Sequence, residues 1–212
     1  MSIGMIILVA LALLILFGVM ERVLDRMALT DKQALVLVAA VFIGGLLPDF
    51  MLGPVTINPG GALVPFGVCI YLLFHAGTGK ERGRALLSAL LTAAAVYAIS
   101  FFFPAEPETM PFDPLMLYGL SGGLIAWILG RSRRSAFIAG ILGVTLADII
   151  TNVMLWRRGI QQTLHLGSAG ALDAVVISGL TAVLLCELLG EIMERIASSS
   201  SHNAPLKGGN HA

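Results

Sequence analysis

A chain of 212 residues that is 57% hydrophobic and only 12% charged is unlike a soluble domain, in which about a quarter of residues are charged. Its 13 basic and 13 acidic side chains cancel, which argues against a nucleic-acid partner, since that would need a basic face. Cys69 and Cys186 both fall in apolar runs; two cysteines make neither a disulfide framework nor a zinc site, and they read as small buried hydrophobes.

The apolar residues come in blocks, and blocks of about 18 or more residues read as transmembrane helices. Seven are expected, over 3–20, 34–52, 59–76, 85–103, 114–130, 136–155 and 171–190. The fold class is therefore all-α: a polytopic transmembrane bundle over residues 1–196, with a disordered cytoplasmic tail over 197–212. The first block has no basic residue ahead of it and no small-x-small cleavage site behind it, so it reads as a retained span rather than a signal peptide.

Positive charge tests this order independently. The segments after the first, third and fifth blocks and the tail hold Arg22, Arg26, Lys32, Lys80, Arg82, Arg84, Arg131, Arg133, Arg134, Arg195 and Lys207. The opposite side holds only Arg157 and Arg158. Lys and Arg accumulate on the cytoplasmic side, which predicts the N-terminus outside and the C-terminus inside a plasma (inner) membrane.

Helix starts agree with these boundaries. Thr30-Asp31-Lys32-Gln33 has the capping-box form. Asn58-Pro59 and Asp113-Pro114 each place a strong N-cap residue before a proline at the first helical position. Between Pro48 and Pro65 a cluster of prolines and glycines interrupts the pattern, so 48–65 reads as a broken or re-entrant element. Gly119 and Gly123 form a GxxxG pair, and Ala139 with Gly143 a small-xxx-small pair, suited to close helix packing or to a homo-oligomer through Gly119 and Gly123. Glu187, Glu191 and Glu194 read as a solvated helix end.

Polar residues in such a chain are the candidates for function, because charge inside a bilayer is costly. Asp49, Asn58, Asp113, Asn152 and Asp173 fall near the outer ends of their blocks. Asp148 is deeper, about 13 Å along a helix from Arg157 at 1.5 Å per residue. Thr145, Asp148 and Asn152 share one helix face by spacing. These oxygen donors suit a hard cation, and a carboxylic acid removed from water can carry a proton. The candidate substrate or ion-binding residues are thus Asp148, Asn152, Asp173, Thr145, Asp49 and Asn58, with no metal centre or cofactor expected. The partners expected are the lipid bilayer and a small cation or proton-coupled solute.

Two other functions compete. Intramembrane aspartyl proteases place one Asp in each of two neighbouring spans, the second in Gly-x-Gly-Asp. Here Gly170-Ala171-Leu172-Asp173 lacks the adjoining glycine, Ala147 stands where Tyr would precede the first Asp, and no Pro-Ala-Leu follows. No Ser/His/Asp set, P-loop, HExxH or CxxC is present, so the chain reads away from an enzyme. His75 and His165 read as boundary residues. A non-catalytic assembly or scaffold protein of the envelope or of sporulation is the third reading.

Ile57-Asn58-Pro59-Gly60-Gly61-Ala62-Leu63-Val64-Pro65 and Tyr71-Leu72-Leu73, with Gly143-Val144-Thr145-Leu146-Ala147-Asp148 and Gly170-Ala171-Leu172-Asp173-Ala174, carry a likeness across 57–190. They resemble a family of prokaryotic multi-pass membrane proteins, domain-of-unknown-function family 1614. The resemblance implies a prokaryotic plasma-membrane protein and names no substrate.

Overall fold

The computed structural model describes residues 25, 27, 29–102, 114–170 and 173–202. The expected span 3–20 and Asp113 lie outside the described residues. Helix α1 is Asp31–Gly45, followed by strands β1, Phe50–Leu52, and β2, Val55–Ile57. A π-helical turn, Pro59–Leu63, leads into α2, Val64–Phe74. Then come α3, Gly79–Phe102, α4, Pro114–Gly130, and α5, Arg133–Arg157, and after strand β3, Leu164–Leu166, the last helix α6, Ala174–His202.

Local chemistry sets the helix starts. Thr30 caps α1 as the sequence predicts: its Oγ1 accepts from the Gln33 amide at 3.3 Å, and Gln33 Oε1 accepts from the Thr30 amide at 2.9 Å. The expected helix over 34–52 stops at Gly45, and residues 50–52 are a strand instead. Gly44 and Gly45 weaken the helix, and Pro48 disfavours helical backbone before it. The expected helix over 59–76 divides into the π turn and α2. At the other end, α6 continues to His202, past the expected boundary at 196.

Among the described residues, three helices are long and apolar enough to cross a membrane: Gly79–Phe102, Arg133–Arg157 and Ala174–Ile196. Their 23 to 25 residues extend about 35 Å at 1.5 Å per residue, enough for a hydrocarbon core of about 30 Å. Helices α3 to α6 pack on one another, with α5 in the middle, touching α2, α3, α4, α6 and β3. Small residues make this closeness available. A side chain at Gly140 would press on the Ser178 carbonyl and Gly179, and Ser178 Oγ donates to the Gly140 carbonyl at 3.2 Å. Gly119 and Gly123 face α6, against Thr181 and Ala182. That face is therefore occupied within the chain.

Leu86, Leu90 and Leu91 on α3, Leu124 and Ile128 on α4, and Leu184 and Leu188 on α6 are exposed. So broad an apolar exterior is what lipid covers and water does not.

The three short strands form one sheet in the order β1-β2-β3. β1 and β2 are antiparallel, joined at Gly53 with φ 62°, and β2 runs parallel to β3 with Val55 opposite Leu164. Leu164 and Leu166 pack in one cluster with Ala62 and with Ile149 and Trp156 of α5. The sheet thus lies over the C-terminal part of α5, at the opposite end of the bundle from the basic turns at Arg84 and Arg133.

Candidate functional site

Asn58 is the fixed point of the site. It is 2% exposed, and both ends of its amide are engaged. Oδ1 accepts from the amides of Gly60 at 3.0 Å and Gly61 at 2.9 Å, which caps the π turn. Nδ2 donates to Asp49 Oδ1 at 2.7 Å and to the Leu47 carbonyl at 3.4 Å, tying the hairpin back onto the turn. Its own amide donates to the Leu166 carbonyl at 2.9 Å, which brings in β3. Asn58 and Asp49 are together, as a lock on backbone.

Glycines let three segments cross here. A Cβ on Gly61 would fall on the Gly167 carbonyl oxygen, and one on Gly170 would come within 2.9 Å of Gly45 Cα. Gly167 and Gly170 have φ of 72° and 60°, in the left-handed region that favours glycine. The loop after β3 is thereby pinned across α1 and the π turn, and it delivers Asp173 to the start of α6.

Asp173 caps that helix. Its Oδ1 accepts from the Val175 amide at 3.0 Å and its Oδ2 from the Ala169 amide at 3.3 Å. It stands one residue ahead of the span Ala174–Ile196. Burial pushes its carboxyl above the ordinary 3.8, against the two amide bonds, which pull it down.

Asp148 lies opposite on α5. It is half-buried between the buried Ala147 and Asn152, and the charge of Asp173 reaches it. Among the described residues its carboxylate has neither a hydrogen-bond nor an ion-pair partner. Asn152, 8% exposed, donates to the Asp148 backbone carbonyl at 3.0 Å and leaves its own Oδ1 buried without a partner. Thr145 is buried and donates back to the Ile141 carbonyl at 2.8 Å, so its hydroxyl proton is held within the helix. Thr56 on β2 is a further buried hydroxyl whose oxygen lacks a partner. The candidate residues therefore form two groups: the Asn58–Asp49 lock, and the Asp148–Asp173 pair with Asn152 beside it.

No group of three or more His, Cys, Asp or Glu that could hold a metal occurs among the described residues. His75 is exposed, stacks on Tyr71 at 4.0 Å and lends its carbonyl to Arg134; His165 is exposed and sits 3.3 Å from Ser168 Oγ. Cys69 and Cys186 are buried and free. Glu187 corrects one expectation: it pairs with Arg133 at 2.6 Å, largely out of solvent. Nothing local marks that pair, because its members are 54 residues apart.

By the length and composition of their helices, chains of this form are membrane-embedded helical proteins. The chain belongs to the family described as "Protein of unknown function (DUF1614)", which matches residues 15–185. No curated protein and no solved structure matches it.

Proposed function

We propose that this is a multi-pass plasma-membrane protein that binds or carries a proton or a small cation at the Asp148–Asp173 site, from the outer face. The unpartnered Asp148 carboxylate carries the reading. In a native structure a half-buried carboxylate within the electrostatic reach of a second one, beside an unsatisfied amide oxygen, calls for a positive charge. A proton shared by the pair, or a cation between them, supplies it.

The orientation rests on the eleven cationic residues in the segments after the first, third and fifth apolar blocks and in the tail, against Arg157 and Arg158 after the sixth. In a seven-span arrangement α1 and the Pro59–Phe74 segment, each about 23 Å long by helical rise, are too short to cross alone.

The test is uptake by the protein reconstituted into sealed vesicles under an imposed pH or cation gradient. Uptake by the wild type and none by Asp148→Asn, at equal insertion, supports the proposal; equal uptake by both sinks it. The same pair of carboxylates favours one second reading, an intramembrane aspartyl protease. That reading requires Asp148→Asn and Asp173→Asn each to abolish cleavage of a membrane substrate completely.

A further inference from the structure

The basic end of the bundle holds a cavity of about 310 Å³ between the starts of α3 and α5 and the end of α4. Lys80 and Arg84 line it one helical turn apart, with Thr78, Ser132, Ser135 and Glu81 completing the wall. Gly130 leaves room for Arg84, whose Cδ would be 3.4 Å from a Cβ there.

The carboxylate in the wall is already engaged. Glu81 Oε2 accepts from the Gly77 amide at 3.1 Å, and Oε1 accepts from Ser132 Oγ at 3.4 Å. Oε1 also stands 3.8 Å from the Arg134 guanidinium. Arg134 thus balances Glu81, and Lys80 and Arg84 have no acidic partner among the described residues. Two cations without an acidic partner among the described residues, the Thr78 and Ser135 hydroxyls and the N-terminal ends of two long helices then converge on one space. That combination suits a tetrahedral oxyanion: charge from Lys and Arg, and hydrogen bonds from hydroxyls and amides.

We propose that this cavity binds a phosphate group. Its position fits the headgroup of an anionic lipid. The exposed Leu86 and Leu87 follow Arg84 along α3, where acyl chains would run, and basic pockets between membrane helices commonly take such headgroups. A free phosphate is the alternative source of the same chemistry. The proposal is independent of Asp148 and Asp173, which lie at the other end of the bundle.

The experiment uses the full chain purified in a neutral detergent. Its thermal midpoint is followed against added phosphatidylglycerol, phosphatidylcholine and inorganic phosphate. Lys80→Gln/Arg84→Gln is compared with the wild type, and Arg157→Gln/Arg158→Gln serves as a control with the same loss of charge at the far end. Both altered pairs are exposed, so the unliganded midpoints should stay close to the wild type. If the double variant at the pocket does not fold, Lys80→Gln alone replaces it.

The expected result is stabilisation by phosphatidylglycerol and not by phosphatidylcholine, with at least about tenfold more lipid needed in the pocket variant and no change in the control. A shift produced by inorganic phosphate, lost in the same variant, would also support a phosphate pocket and assign its source to solution. An equal response in the wild type and the pocket variant, an equal loss in the control, or no response to either phosphate would overturn the proposal.

Discussion

Replacing Asn58 by Ala removes the group that ties the hairpin, the π turn and β3 together. The Gly60 and Gly61 amides, both buried, lose their acceptor. Each buried donor left unsatisfied costs about 1–3 kcal/mol, so these two alone give about 2–6 kcal/mol. The lost bonds to Asp49 and Leu47 add little, because both partners are exposed and water replaces Asn58 there. A net destabilisation of about 3–4 kcal/mol is expected, at the upper end for single substitutions. Asp49→Ala is the comparison: it removes the 2.7 Å bond from an exposed carboxylate and should cost about 1 kcal/mol or less. Asn58→Asp keeps the acceptor for the two glycine amides but sets a carboxylate against Asp49, and should fall between the two. The assay is denaturant unfolding of the folded protein in mixed micelles, followed by tryptophan fluorescence. Trp156 packs beside β3, so it reports this region. If Asn58→Ala unfolds within about 0.5 kcal/mol of the wild type, a value ordinary for surface changes, the capping account of the turn is refuted.

Other outcomes follow from the same structure. Gly61→Ala should destabilise by at least about 1–3 kcal/mol, because its Cβ meets the Gly167 backbone; Gly67→Ala, with open space around it, should be neutral or stabilising in the same unfolding assay. Arg133→Ala leaves Glu187 largely buried and unpaired and should cost about 3–5 kcal/mol; removing both charges, as Arg133→Met/Glu187→Met, should cost much less in the same denaturation series. For pH, the folded protein holds the Asp173 proton more tightly than the unfolded chain does. Stability should therefore fall as pH rises from the ordinary 3.8 through the raised value, and Asp173→Asn should flatten that slope in thermal melts across pH 3–8.

The helix starts were legible because capping is local. Thr30 and Gln33 are three residues apart, and Asn58 precedes its proline directly. The polar face of α5 was legible for the same reason, since Thr145, Asp148 and Asn152 follow helical spacing. The end of α1 was legible only in part: the prolines and glycines of 48–65 read as a broken element, but the expected helix still ran to 52, past its end at Gly45. The sheet was not legible at all. Its strands are three residues long, too short for alternation to show, and β2 pairs with a strand more than a hundred residues away. Gly61 and Gly170 fall in short glycine-bearing motifs of the sequence, but which backbone they and Gly167 cross depends on the assembled fold. The position of Asp173 has the same origin, because the loop that carries it is placed by those crossings.

The measurement that bears most directly on the Asp148–Asp173 site is thermal stability of the wild type and of Asp148→Asn in detergent, titrated with protons and then with single cations. A ligand held at the site stabilises the folded state by about 2.7 kcal/mol at a hundred times its dissociation constant. The account predicts such a rise for protons or for one cation in the wild type, and its loss in Asp148→Asn. The same response in both proteins would contradict it, leaving Asp148 a structural residue and returning the scaffold reading to the front.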